Sequence, residues 1–479
     1  MSASPRVVSV DAPRSGEAVS RELYRPPAPL PRPAVQSLLR LMMAREKDLL
    51  SLLPDEAYRM RIGNLGASRR GIVLVNAPEL VTAVLNDAEE AFPKNDLFVG
   101  ALEGLVGNSI FVSHGETWRR QRRMVDPAFS HMRIHRAFDS MTAAVDDYEA
   151  QLATHAADGA PLSLSAAMTH LTADVITRTI FSRPLAFQTS RDIFETFALF
   201  ERSVANTDLK QLLLGKPFAH IDQPPHVQAA CRTIRDHIGA LLDPRLAPGA
   251  PAEDDIVGAC IEARDPETGA RFSREELIDQ IGVFFLAGHE TTASALTWAF
   301  FILSQQPAIV ARMRAEIDAV VGNGPVTLEL TKRLALVRNV FRETLRLYPP
   351  ISFLPRVALR STRIGDRTIR KGTMVMISPW TIHRNETLWR DADRFDPDRF
   401  SPERERDVPA GAYIPFGFGP RICVGAAFST IESTLILARF IRRFDFTTLS
   451  PERVRPFARL TARPADEVMI QVRPRQDAP

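Results

Sequence analysis

Near the C-terminus the run Phe416-Gly-Phe-Gly-Pro-Arg-Ile-Cys-Val-Gly425 presents a thiol on a loop. Gly417 and Gly419, followed by Pro420, describe a tight turn that needs unusual backbone angles. From Ala426 to Ala438 the residues then read as a helix. Cys423 thus stands just ahead of a helix N-terminus, where amide donors and the positive helix end favour a thiolate. Gly425, without a side chain, would let that helix approach a flat ligand, and Arg421 is placed to pair with a carboxylate near the sulfur. The bland alternative is that Cys423 is a small buried apolar residue, as most free cysteines are.

A second chemical group sits in the longest helical stretch. Ser273-Arg-Glu-Glu276 reads as a capping box, and nothing stops the helix before Pro307. About 33 residues at 1.5 Å each predict roughly 50 Å, enough to cross a domain. Its middle, Ile281 to Ala287, is apolar all round and therefore buried. It carries Ala287-Gly-His-Glu-Thr-Thr292, in which 283, 284, 287 and 291 share one face while His289 points roughly away as a structural polar residue. Thr291 could simply bond back to its own helix. Trp118-Arg-Arg-Gln-Arg122 offers an indole donor and a guanidinium fork, or else a core tryptophan and a solvated arginine. Glu343-Thr-Leu-Arg346 sets opposite charges on one helical face, and Phe395-Asp-Pro-Asp-Arg-Phe400 follows about fifty residues later.

The elements that must position these groups are mainly helices. Helical spacing runs from about Ala34 to Ser51 and again, with breaks, from Pro78 to Gln306. The breaks are expected around Gly100–His114, Asp158–Leu162 and Asp243–Asp255. Strands are expected near Tyr58–Ile62, Gly71–Asn76 and Val375–Pro379, with a hairpin about Gly365-Asp366-Arg367. The fold class is therefore mainly α with a small β component. One domain is expected over 35–479, after a proline-rich, extended segment at 1–34. The 479 residues are 45% hydrophobic and 24% charged, ordinary for a globular chain, and a net charge of +3 argues against nucleic acid as partner. Cys231, Cys260 and Cys423 form no C-x-x-C pair, so neither a disulfide framework nor a four-thiolate metal site is expected. No apolar run is long enough for a membrane span, and the N-terminus lacks the plan of a secretory signal, so a cytoplasmic monomer is expected.

Written as F-G-x-G-x-R-x-C-x-G, the cysteine loop resembles the haem-binding loop of the cytochrome P450 monooxygenases. The A-G-x-[DE]-T-[TS], W-x-x-x-R and E-x-x-R elements resemble theirs too, in order, from about residue 35 to the end. The resemblance implies the cytochrome P450 fold, a single large helical domain whose long central helix crosses over haem b. It makes Cys423 the axial iron ligand, pushing electron density that favours O–O cleavage, with Phe416, Gly417 and Gly425 shaping its loop. Ala287 and Gly288 would leave room for dioxygen, and Thr291 would hydrogen-bond it and relay protons with Glu290. Trp118, Arg122, Arg356 and Arg421 would hold the haem propionates. Glu343, Arg346 and Arg399 would form a buried supporting network, Asp398 replacing the family's usual glutamate. The pocket would be lined by Phe98, Phe111, Phe200, Val283, Ala287, Phe353 and Leu460, an apolar set suited to a hydrophobic small molecule. The implied activity is insertion of one oxygen atom by hydroxylation or epoxidation. No fused flavin reductase is legible, so electrons from NAD(P)H would arrive through a ferredoxin or flavodoxin and its reductase. Arg119, Arg120 and Arg123 form either a wet helix face or a docking patch for that carrier. The rival readings are a gas sensor or electron carrier, a peroxygenase or isomerase on the same fold, and a cofactor-free helical scaffold.

Overall fold

Ser273 starts the helix that organises the molecule. Its hydroxyl accepts from the Glu276 amide at 3.2 Å while the Glu276 carboxylate accepts from the Ser273 amide at 2.8 Å, so the expected capping box forms. In the computed structural model, which describes residues 23–33, 36, 48–65, 71–87, 90–186, 188–204, 217–218 and 223–475, this helix spans Arg274–Ser304 over 31 residues. It is the ninth of thirteen helices named here. Before it come α1 (Pro78–Leu85), α2 (Asp96–Val106), α3 (Gly115–Val125), α4 (His131–Asp158), α5 (Leu164–Phe181), α6 (Gln188–Val204), α7 (Pro225–Leu246) and α8 (Ile256–Glu262). After α9 come α10 (Pro307–Val321), α11 (Leu328–Arg333), α12 (Ala335–Leu347) and α13 (Ala426–Arg443). Nearly every residue of α9 from Leu277 to Leu286 and from Thr292 to Leu303 is buried, against α5, α7, α12 and α13 among others.

The β component is small and peripheral. A four-stranded sheet has the order β1 (Ile62–Asn64), β2 (Ile72–Val75), β7 (Met374–Ile377), β4 (Leu354–Val357), with only the β2–β7 pair parallel. A hairpin of β5 (Thr362–Ile364) and β6 (Arg367–Ile369) turns at Gly365, whose φ of 58° suits glycine. β3 (Leu162–Ser163), β11 (Met469–Pro474) and β8 (Phe444–Thr448) form a second sheet, and β9 (Pro456–Ala458) pairs with β10 (Ala462–Pro464). No single described helix is long and apolar enough to cross a membrane.

Several boundaries move from their expected places. The first strand is Ile62–Asn64, because Pro54 opens a 3-10 turn at Asp55–Tyr58 that buries Ala57. Gly100–Val106 is helix: Asn95 caps α2 by accepting from Leu97 N at 3.0 Å, and Leu102, Leu105 and Val106 bury its far end. Helix α7 runs through Pro244 to Leu246, with Arg245 held to Asp255 at 2.7 Å. The expected helix at Ala34–Ser51 lies almost wholly outside the described residues, save a 3-10 turn at Leu50–Leu52. In the proline-rich segment, Pro27 O accepts from Tyr348 Oη at 2.6 Å and Tyr24 O from Phe395 N at 2.8 Å.

Candidate active site

The cysteine loop is shaped by its glycines. Gly417 and Gly419 have φ of 77° and 72°, and a Cβ on Gly419 would stand 2.3 Å from Asn86 Oδ1. The loop closes where Cys423 N donates to Phe416 O at 2.9 Å. Gly425 has an ordinary φ of −88°, and a Cβ there would make only an ordinary 3.9 Å contact with Cys423 Sγ, beside the cavity. Burial pushes the Cys423 thiol up, opposed by the Gly425 amide and by the charges of Arg122 and Lys94. The helix-end stabilisation expected from sequence is thus present in the Gly425 amide, and the thiol, though flanked by protein, is open to the cavity.

Cys423 opens into a cavity of about 280 Å³. Pro415, Phe416, Gly417, Cys423 and Gly425 line one wall, while Val283, Ala287, Gly288, Glu290 and Thr291 of α9 line another. The Thr291 hydroxyl donates to Ala287 O at 2.8 Å, the bond within its own helix that its type allows. The Glu290 carboxylate accepts from the Thr461 hydroxyl. His289 turns away as expected: its Nδ1 bonds Phe285 O at 2.7 Å, and its ring meets Phe194 edge-on at 5.5 Å. Gly288 lines the cavity and also has a packing role. A Cβ there would meet Ile176 Cδ1 at 2.6 Å, so this glycine allows α5 to pack close on α9.

One side of the cavity is strongly cationic. Lys94, Arg122, Arg356 and Arg421 all line it, together with Trp118. Arg421 stacks over the Trp118 ring at 4.3 Å and donates to Ser113 O at 3.0 Å, but its buried Nη1 has no hydrogen-bond partner among the described residues. Arg122 donates to Ile422 O at 2.7 Å and pairs with Asp126 at 2.6 Å. Burial and then the charge of Arg421 bring Arg356 down to about 10; burial, with Arg122 adding to it, does the same to Arg421. Lys94, over the Phe111 ring at 3.7 Å, is held well below its ordinary value by burial and by both of those arginines. Arg356 is buried and Lys94, Arg122 and Arg421 half-buried, and so many cations around one cavity are costly unless an anion shares it. Sequence reasoning missed Lys94; the available signal was a lysine between Pro93 and the Asn95 cap in a chain with few lysines.

Support for the loop comes from below. Glu343 Oε2 takes Arg346 Nε at 2.8 Å, and Glu343 Oε1 takes Arg346 Nη2 at 2.8 Å, Arg399 Nε at 3.1 Å and Asp396 N at 2.9 Å. Arg346 also donates to the carbonyls of His383 and Ala392, both at 2.6 Å. His383, which the sequence did not single out, carries the network onward. Its Nδ1 faces Arg346 O at 3.0 Å and its Nε2 accepts from Ile414 N at 2.9 Å, two residues before Phe416. Burial and the Arg346 charge push this imidazole down to about 3, so it is neutral, donating through Nδ1 and accepting through Nε2.

Phe98, Phe111, Val283, Ala287, Phe353 and Leu460 line the cavity as expected, and Phe284, Phe129 and Ile176 extend it. Phe200 does not: it is fully buried in the core on α6, whose Phe197 stacks on Phe285. The arginines beside Arg122 do not form a free positive patch. Arg119 pairs with Glu116 and Glu90, Arg120 with Glu276, and Arg123 with Asp265, Glu116 and Glu267.

A cavity lined by a thiol, by the long helix α9 and by a cluster of cations is a site suited to an anionic group. The family model for cytochrome P450 matches residues 26–472. The chain belongs to the cytochrome P450 family, and it is a monooxygenase with a haem cofactor. It is similar to cyclooctatin synthase of Streptomyces melanosporofaciens, 33% identical across 87% of this chain and 89% of that one. It is also similar to pentalenene oxygenase of Streptomyces avermitilis, 29% identical across 88% and 91%. Among solved structures, the haem domain of cytochrome P450DA superposes with a TM-score of 0.79 at 25% identity, over 94% of this chain and 98% of that one. The fold and enzyme class expected from sequence are those found.

Proposed function

We propose that this enzyme holds haem b through the Cys423 thiolate and oxygenates a terpenoid hydrocarbon or alcohol. What carries the reading is that Cys423 and the residues Ala287, Gly288, Glu290 and Thr291 of α9 line the same cavity. Bound haem supplies dioxygen activation and one-electron chemistry. The chain's own residues do the rest. Lys94, Trp118, Arg356 and Arg421 receive the two propionates, which gives the partnerless Arg421 Nη1 an acceptor. Gly425 keeps the near side clear. Thr291, anchored on Ala287 O, keeps its oxygen lone pairs for a partner in the cavity, and Glu290 holds an exchangeable proton one residue away. Phe98, Phe111, Phe284 and Phe353 exclude water around the reacting carbon.

The terpenoid class is supported by the aromatic and aliphatic walls and by the names of the bacterial relatives, which include a cyclooctat-9-en-7-ol 5-monooxygenase. Electrons come from NAD(P)H through a separate ferredoxin or flavodoxin and its reductase, in the cytoplasm, to a monomeric enzyme. The test is a panel of cyclic terpenes and terpene alcohols, pentalenene and cyclooctat-9-en-7-ol included. The haem-loaded protein is scored for a substrate-induced shift of the haem band, then for incorporation of heavy-isotope dioxygen in a reconstituted electron-transfer system. One labelled oxygen in a terpenoid product is expected; shifts with fatty acids alone would overturn the class.

A further inference from the structure

The turn joining β9 to β10 is fastened to α9 at two successive residues. The Thr461 hydroxyl donates to the Glu290 carboxylate, and Ser294 Oγ donates to Ala462 O at 2.5 Å. Glu290 and Ser294 lie one helical turn apart on the same face. The turn is also held from behind, with Ala462 N donating to Pro350 O at 2.7 Å and Arg459 N to Thr461 O at 3.2 Å. Leu460 and Thr461 line the cavity, as does Glu290. A segment of the cavity wall therefore grips an acid that lines the same cavity.

We propose that Thr461 is a positioning residue for Glu290: its hydroxyl fixes where the carboxylate sits when it gives up and regains its proton. A carboxylate in a mainly apolar cavity is costly without donors. A hydroxyl donor offsets that cost, favours the ionised form and selects one rotamer of the glutamate. Because Leu460 precedes Thr461 on the same short turn, a molecule pressing on this wall moves the donor, and with it the acid. Pocket filling and proton delivery are coupled through one hydrogen bond. The inference rests on the reading of Glu290 as the proton-bearing acid.

The test uses haem-loaded protein as four variants, Thr461→Val, Thr461→Ser, Glu290→Gln and the Thr461→Val/Glu290→Gln double. The infrared carboxyl band lost in Glu290→Gln identifies Glu290, and its disappearance with rising pH is followed in the resting protein. Separately, dithionite-reduced protein is mixed with dioxygen, and its reoxidation rate is compared in H2O and D2O. In Thr461→Val the Glu290 band should persist to higher pH. Reoxidation should slow roughly tenfold with a larger isotope ratio, below the hundredfold that a full ångström of misplacement can cost. Thr461→Ser should restore both, and the double variant should match Glu290→Gln because the two residues act as one unit. If Glu290→Gln slows reoxidation while Thr461→Val changes neither rate nor band, the inference falls and the role of Glu290 stands. If Glu290→Gln itself reoxidises as the parent does, the role of Glu290 falls, and the inference with it.

Discussion

Replacing Glu343 by glutamine changes one atom at the centre of the cysteine-loop support, and its cost can be worked out. Glu343 and Arg346 side chains are 0% exposed and Arg399 is 5% exposed, so Glu343 is the main counter-charge for both guanidinium groups, with Asp396 adding to it for Arg399. The amide keeps one acceptor but turns its NH2 toward arginine donors, leaving buried Arg346 and Arg399 without their main counter-charge. Breaking a buried pair this way costs about 3–5 kcal/mol. At about 2.1 cal/mol/K per residue, unfolding 479 residues carries an entropy near 1 kcal/mol/K, so the melting temperature should fall by about 3–5 °C. A matched control is Glu405→Gln, which breaks the exposed Arg342–Glu405 pair and should cost under about 1 kcal/mol. The assay is thermal unfolding at one scan rate by circular dichroism, with haem content measured alongside. Because Arg346 reaches Ile414 through His383, haem content should fall in Glu343→Gln and not in Glu405→Gln. Equal melting of the two variants, within about 1 °C, would refute the argument that the buried charge sets the cost.

Other outcomes follow from the same structure. Gly288→Ala should destabilise by about 1–3 kcal/mol through overpacking against Ile176. In an Ile176→Ala background the same Gly288→Ala change should cost little, since only the Ile176 Cβ, 3.7 Å away, would remain in contact; denaturant unfolding of the two single variants and the double checks it. His383 is held neutral down to about 3, whereas in the unfolded chain it takes a proton near 6.5. Stability should therefore fall as pH drops below about 6.5, by about 2 kcal/mol at pH 5, and His383→Gln should flatten that part of the profile. Lys94→Met should weaken haem retention, seen as faster transfer of haem to apomyoglobin, while leaving the wavelength of the haem–carbon monoxide band unchanged.

Legibility in the sequence followed locality. Ser273, Glu276 and the following apolar stretch act within one helix, so α9 was readable almost to the residue. The loop glycines at 417 and 419 were readable for the same reason, because the need for positive φ is local. Glu343, Arg346 and Arg399 were legible as a network only through the family pattern, since nothing at i, i+3 spacing says what a third residue fifty positions on will touch. Lys94 and His383 were missed because their roles depend on partners far along the chain: Arg356 and Arg421 for one, Ile414 for the other. Phe200 was assigned to the cavity on its helix alone, but which face of α6 points inward depends on packing against Phe285 and His289. Likewise Arg119, Arg120 and Arg123 looked like free charge because, apart from Glu116 on their own helix, their acids Glu90, Glu276 and Asp265 lie in other segments.

The central claim is that Cys423 binds the haem iron as a thiolate, and the absorption spectrum of the reduced, carbon monoxide-treated protein tests it most directly. The parent should show the strongly red-shifted Soret band for which the family is named, and Cys423→His should hold haem but lose that band for a globin-like one. A parent spectrum that is already globin-like in freshly prepared protein, or a red-shifted band that survives Cys423→His, would contradict the claim.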